Sequence, residues 1–503
     1  MTREGPQRRG NGEASLYALV VVAGAALRLG SLGAAPLTHL EASIAWSSWQ
    51  TANGGFLSPL STPPSSAALF ATQHALFRLT GGAGSDELAR AVPALVGCAM
   101  LLLPWFLRPV LGGIGVLALA SLLALDPWLV GFSRIADGAI LATASAWCLV
   151  VATLTVSARD VAHDKWRRCW CLAAAFAAGL LATSGPMTWD LLVPASVVAV
   201  VGYRRCSERS ATGLTGWLNV AAITAVLFAT GGLLHWKGLS LVSAGLTSWV
   251  GQWSSSAPTS VPLSTLSGLL SRLELLPICL GVAGLFSILA RSSAVNPADR
   301  ESEALDGGPW PRLLLFWTVW GVVMLLRPGR DLTPWLSLEI PLLLMGARMA
   351  QRLAEATLAR GFWARRGLAR VAVAIGGVLL IGVLAGARAV AAPAHGTSEW
   401  RPHSWSTEAS VRLLARDIEN LTSGSPPRRR GVDVVSPGSF DPTLAWYLRL
   451  VPGVRWVGAP PLGRQPVPPV VVERVRGDEL HATTGGVYRF RTGPSTVELL
   501  RLR

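Results

Sequence analysis

One carboxylate, Glu41, stands in Leu37-Thr38-His39-Leu40-Glu41-Ala42-Ser43, just beyond the first long apolar run of the chain. An acid at a water–membrane boundary can take the proton of an attacking hydroxyl or orient the group that carries it. The plain alternative is a solvated loop acid, since surface carboxylates are usually inert. His39, two residues earlier, offers an imidazole as a substitute base, although a lone histidine beside an apolar run more often has a structural task.

Other charges sit at comparable places. In Phe132-Ser133-Arg134-Ile135-Ala136-Asp137 the i, i+3 spacing predicts that Arg134 and Asp137 share one helix face. Ionisable groups next to hydrocarbon line a cavity or pair with each other, so this pair is either a substrate contact or a local ion pair. In Arg327-Pro328-Gly329-Arg330-Asp331-Leu332-Thr333-Pro334-Trp335 a tight turn presents Arg330, whose guanidinium could hold a phosphate through two parallel hydrogen bonds. An interfacial, snorkelling arginine is the alternative. Lys237 is a weaker phosphate candidate, and Glu274 is expected to pair with nearby Arg272. No Walker loop, dinucleotide-binding glycine pattern or nucleophile elbow is present, so any energy must come with the substrate. Cys169-Trp170-Cys171 lacks a second ligand pair, so no metal site is expected from the cysteines.

The elements that must position these groups are mostly hydrophobic. The 503 residues are 51% hydrophobic and 15% charged, with a mean hydropathy of +0.44, against about a quarter charged in a soluble chain. A membrane span needs roughly 20 mostly apolar residues, because its backbone polar groups must be satisfied within the segment. About eleven runs meet that length, near residues 14–33, 89–107, 110–128, 138–157, 169–184, 187–203, 214–234, 264–291, 311–327, 334–350 and 370–390. The first is read as a retained helix rather than a cleaved signal, because no small-residue cleavage site follows it.

The net charge of +15 does not indicate nucleic acid. Its arginines concentrate in short connectors, Arg159 to Arg168, Arg204 to Arg209 and Arg348 to Arg370, as the positive-inside rule places them. Alternating the spans from a cytoplasmic N-terminus keeps those connectors inside the cell and puts 34–88, 129–137, 235–263 and 328–333 outside. Within the first outer loop, Ser65 to Leu79 predicts a surface helix that Gly81-Gly82 ends. Beyond residue 390 the composition changes. A helix is predicted over Thr407 to Leu421 and another over Thr443 to Leu450. Short β-type runs stand at Val432 to Val435, Val454 to Val457, Val470 to Val472, Val487 to Phe490 and Thr496 to Leu499. The predicted fold class is an α-helical polytopic membrane protein with a small C-terminal extracytoplasmic α/β domain. The expected order is a cytoplasmic tail over 1–13, a transmembrane domain over 14–392 and the outer domain over 393–503, in a plasma membrane.

Taken in order, these pieces resemble the GT-C class of membrane glycosyltransferases, in particular the protein O-mannosyltransferase and aminoarabinose transferase superfamily and, within it, the flippase-activity-associated archaeal-type membrane proteins. The resemblance covers most of the chain. The acidic pair of the family's first outer loop is matched by Leu40-Glu41 with Ala45-Trp46 following, and its His-Pro-Pro by Thr62-Pro63-Pro64. Its arginine at the second span is matched by Arg90, and its Ser-Arg-x-x-Asp by Ser133, Arg134 and Asp137. Its Pro-Trp turn is kept at Pro334-Trp335, and its Trp-Tyr-Leu-Arg run at Trp446-Tyr447-Leu448-Arg449.

The resemblance implies transfer of a sugar from a polyprenyl-phosphate donor to a lipid, glycan or protein acceptor at the outer membrane face. In that reading Glu41 is the general base and Asp137 orients donor or acceptor. Arg134, Arg330, Lys237, His39 and Trp335 contact substrate, and a divalent metal remains open as a cofactor. One departure bears on this: the family's first acid is Leu40 here, which cannot accept a proton. A non-catalytic component of lipid-glycan flipping or assembly is therefore the competing reading. A scaffold whose outer domain binds glycan through Trp446, Tyr447 and Arg449 is a third.

Overall fold

The computed structural model describes residues 7–55, 66–157, 164–207, 214–233, 238–253, 264, 268, 270, 274–294, 309–329, 332–359, 406–407, 410–423, 432–435, 440–451, 454–457, 470–476, 487–492 and 497–502. The chain is predominantly helical. Its first helices are α1 (Gln7–Leu29), α2 (His39–Ala52), α3 (Ala67–Leu79), α4 (Asp86–Met100) and, after a 3-10 turn, α5 (Arg108–Leu125). Then come α6 (Pro127–Ser133), α7 (Ala139–Ser157), α8 (Asp164–Ala182), α9 (Met187–Ser207), α10 (Leu214–Ala229) and α11 (Gly238–Gly251). Next are α12 (Leu275–Ala294), α13 (Trp310–Leu326) and α14 (Pro334–Ala359), and near the C-terminus α15 (Ser410–Ser423) and α16 (Pro442–Tyr447).

By contacts the chain divides into two compact units, one of residues 1–30, 65–69 and 91–392, the other of residues 31–64, 70–90 and 393–503. The grouping changes at 392/393, and most of the expected first outer loop falls in the same unit as the C-terminal residues.

In the first unit α14 packs on α12 and α5, α7 packs on α8 and α9, and α1 lies along α5. Among the described residues three helical stretches are long and apolar enough to cross a membrane: Gly12–Leu29, Asp86–Leu125 and Ala139–Ser157. Shorter apolar helices cover Thr215–Ala229, Leu275–Ser287 and Trp310–Leu326. Leu19 and Val22 on α1, Phe286 on α12 and Val319 on α13 turn large apolar side chains outward. Such surface suits lipid and is unfavourable in water. This is a membrane protein. The span expected over 370–390 lies outside the described residues.

Two expectations about local structure change. Within 235–263, expected as an outer loop, residues 238–251 form helix α11. Helix α6 stops at Ser133, and the backbone bends through 134–138, so Arg134 and Asp137 do not share a helix face. Asp126 starts α6: its carboxylate accepts from the Trp128 and Leu129 amides at 2.9 and 3.0 Å, and Pro127 occupies the first helical position. Gly138 ends the bend, and a Cβ there would collide with the Ser184 carbonyl oxygen and the Ser66 side chain.

In the second unit six strands, β1 (Ser406–Thr407), β2 (Val432–Val435), β3 (Val454–Val457), β4 (Val470–Arg476), β5 (Val487–Thr492) and β6 (Val497–Leu502), form one sheet of order β1-β5-β6-β4-β2-β3. Strand β2 runs parallel to β3 and β4, with Val434 opposite Trp456 and Val472, and the remaining pairs are antiparallel. The apolar stripe Val411, Leu414 and Ile418 of α15 is buried with Val434 and with Leu444 and Leu448 around α16. A second core joins Leu37, Ala42 and Ala45 at α2 to Phe77, Ala89 and Trp446.

Candidate functional site

Thr38 and Glu41 are three residues apart at the start of α2, a spacing that closes a capping box. The Thr38 hydroxyl accepts from the Glu41 amide at 3.4 Å, and the Thr38 amide donates to Glu41 Oε2 at 2.8 Å. Arg90, on α4, faces the same carboxylate: its Nε donates to Oε1 at 2.7 Å and its Nη2 to Oε2 at 2.8 Å. The rest of the guanidinium donates to the carbonyls of Leu32 (2.8 Å), Ala35 (2.7 Å) and Pro36 (3.0 Å). All five donors of Arg90 are thus engaged. Glu41 is 1% exposed.

A general base must present a free lone pair to the acceptor. Glu41, expected as the base, is buried, with both oxygens held by Arg90 and one also by its own helix start, and 32–41 folds around that one guanidinium. Leu40 and His39 turn the other way. Leu40 is 43% exposed, and the His39 side chain is 39% exposed with Nδ1 4.0 Å from Asp441 Oδ1. Asp441 is itself the N-cap of α16, accepting from Thr443 at 2.8 Å and Leu444 at 3.3 Å.

Asp86 organises the same unit. It accepts from Trp446 Nε1 at 2.7 Å, from the Tyr447 hydroxyl at 2.9 Å and from Arg412. The Tyr447 oxygen in turn accepts from the Leu37 amide at 2.7 Å. Burial first, and then the Asp86 charge, hold the Tyr447 phenol well above its ordinary pKa. Burial opposes the Arg412 charge, yet Asp86 and Tyr447 outweigh it and keep that guanidinium above its usual value. The Arg449 guanidinium lies 4.0 Å from the Trp446 ring centre and donates to the Trp446 carbonyl at 2.6 Å and to Gly84. Trp446 is fully buried. The Trp446, Tyr447 and Arg449 cluster is therefore internal packing rather than a glycan platform.

In the first unit Arg134 Nη1 donates to the carbonyls of Leu27 (2.7 Å), Arg28 (3.4 Å) and Gly30 (2.5 Å), binding the C-terminal end of α1. A cation there complements the helix dipole and satisfies carbonyls that lack partners within the helix. Asp137 accepts from the Gly138 amide at 2.6 Å. Trp335 is 2% exposed at the start of α14, and its indole N–H has no hydrogen-bond partner among the described residues. Lys237 and Arg330 lie outside the described residues.

The structure adds groups that sequence reasoning did not assemble. Arg327 pairs with Asp190 of α9, which also accepts from Trp249 of α11 at 2.7 Å. Asp126, Glu274 and Glu339 are all buried and bring carboxylate oxygens within 4.8 Å of one another, close enough to hold a metal ion. Glu274 is thus clustered with acids from α14 and the α6 cap; Arg272, its expected local partner, lies outside the described residues. The only hint in the sequence was that each acid interrupts an apolar stretch.

The fold is similar to that of three solved structures. ArnT from Cupriavidus metallidurans bound to undecaprenyl phosphate is 14% identical, with a TM-score of 0.58 over 97% of this chain and 98% of that one. The archaeal oligosaccharyltransferase AglB from Archaeoglobus fulgidus, in complex with an inhibitory peptide and a dolichol-phosphate, is 12% identical, with a TM-score of 0.57 over 88% of this chain. The match covers 64% of the AglB chain, just under two thirds. An Archaeoglobus fulgidus oligosaccharyltransferase complexed with zinc and sulfate gives a TM-score of 0.54 at 13% identity, covering 87% of this chain and 62% of that one. No protein-family model and no curated protein sequence matches the chain.

Proposed function

We propose that this chain transfers a sugar from a polyprenyl-phosphate-linked donor to a lipid, glycan or protein acceptor at the outer face of the plasma membrane. The observation that carries the reading is the fold likeness to ArnT along nearly the full length of both chains, in a complex that contains undecaprenyl phosphate. The orientation follows from the arginine-rich connectors: N-terminus inside, about eleven spans, and the C-terminal α/β region outside. In the reaction the acceptor oxygen attacks the anomeric carbon, the bond to phosphate breaks, and the hydroxyl proton goes to a base as polyprenyl phosphate leaves. A cation at that phosphate stabilises the leaving charge, a role proposed for Arg330 and Lys237. With Glu41 engaged by Arg90, the base we assign is His39, the exposed titratable group in the first turn of α2, with Asp441 beside it. Asp137 orients donor or acceptor in this scheme.

A second reading rests on Leu40. An exposed leucine where the resembling family has an acid fits a scaffold that binds the lipid-linked glycan without turning it over. The test is release of label from a polyprenyl-phosphate sugar by purified protein in lipid. The transferase reading expects turnover by the wild type and a loss of about 100-fold or more in His39→Ala. No turnover with several donors while the lipid still binds would overturn it in favour of the scaffold.

A further inference from the structure

Asp126, Glu274 and Glu339 come from three separate stretches of chain: the junction of α5 and α6, the residue before α12, and the second turn of α14. Their exposures are 1%, 0% and 1%. Asp126 Oδ1 is engaged by the α6 amides, whereas Asp126 Oδ2 and both oxygens of Glu339 have no hydrogen-bond donor among the described residues, and Glu274 has only the Trp128 amide nearby. Buried carboxylate oxygens with so few donors are a costly arrangement. A buried charge is tolerated when it is paired, protonated or bound to a metal. Arg28, fully buried on α1, is the nearby cation. Its Nη atoms are held by the carbonyls of Gly24, Leu123 and Ala124 at 2.7 to 3.1 Å, and its charge acts on Asp126 and Glu339.

Among the described residues, three carboxylates and one guanidinium leave two negative charges. One divalent cation cancels them. The donor set is all oxygen, which suits hard cations and not the nitrogen and sulfur preferences of zinc or copper. The ligand atoms lie within 4.8 Å of one another, close enough to share one such ion.

We infer that Asp126, Glu274 and Glu339 form a buried site for one hard divalent cation that clamps the α5–α6 junction, α12 and α14 together. The inference is independent of glycosyl transfer and of the His39 assignment. The whole chain, purified in lipid nanodiscs and stripped with chelator, is titrated with Mn2+ by paramagnetic resonance and competed with Ca2+. The expected result is one bound Mn2+ per chain, displaced by Ca2+, with affinity at least tenfold weaker in Glu274→Gln and in Glu339→Gln. Glu13→Gln, at the Arg108 pair, is the control and should bind as wild type. Ca2+ should also raise the unfolding temperature of the wild type. If the Gln variants do not fold, the wild type alone decides: loss of the infrared carboxylic-acid band on adding Ca2+ supports the site. No bound Mn2+ in monodisperse wild type, Mn2+ binding unchanged in both Gln variants, or an acid band that persists in saturating Ca2+ would overturn it. The last result would mean that the three acids share protons instead.

Discussion

Replacing Arg90 with methionine keeps the apolar stem and removes the group around which 32–41 is folded. Glu41 would remain 1% exposed without its cation, and the carbonyls of Leu32, Ala35 and Pro36 would lose their donors. Breaking a buried ion pair from one side costs about 3–5 kcal/mol. At about 1.4 kcal/mol per tenfold, that is roughly a 100- to 4,000-fold loss in the folding equilibrium. The assay is equilibrium unfolding in mixed micelles of wild type, Arg90→Met, Glu41→Leu and the double variant. The double variant should be more stable than the sum of the single losses, by about 1–3 kcal/mol, because it strands no charge. Glu41→Gln adds the functional arm. A positioning residue loses stability and activity together, whereas a base loses activity with the fold intact. Single variants that unfold like the wild type, or a double variant equal to the sum, would refute the reasoning.

Three further outcomes are expected. Tyr447 binds its proton more tightly folded than unfolded, since burial and Asp86 raise its pKa above 10.0. Its contribution is therefore complete below pH 10 and is lost as pH rises beyond it, and alkaline melts of Tyr447→Phe should show a flatter limb from a lower neutral-pH start. Gly138→Ala should cost about 1–3 kcal/mol by melting temperature, since the added methyl meets the Ser184 carbonyl. Thr38→Ala should cost about 1 kcal/mol through the lost cap, with Thr38→Ser near wild type.

Much of this architecture is local and therefore readable in advance. The β-branched runs Val432 to Val435 and Val454 to Val457 became strands, and the alternation of Val411, Leu414 and Ile418 became the buried face of α15. The spacing of Thr38 and Glu41 was also on the page, as a helix-start signature, whereas the pairing of Glu41 with Arg90 was not. That partner is 49 residues away. Arg134 and Asp137 misled for another reason: i, i+3 spacing places two charges on one face only where the helix continues, and α6 ends one residue earlier. The acidic triad was illegible because no two of its members share a segment. Electrostatic clusters are properties of packing, and a single sequence gives no distance between helices.

The knot of contacts at Asp86 has a consequence for the order in which the molecule can be made. Asp86 is translated early, but Arg412, Trp446 and Tyr447, which hold it, follow 326, 360 and 361 residues later. At about 5–20 residues per second the wait is roughly 20–70 s. Through that interval the nascent segment carries an acid, and a Leu37 amide, whose final partners have not left the ribosome. Completion of this early-made region is thereby coupled to synthesis of residue 447, and a chain interrupted before that point keeps an unfinished surface by which surveillance proteases can recognise it.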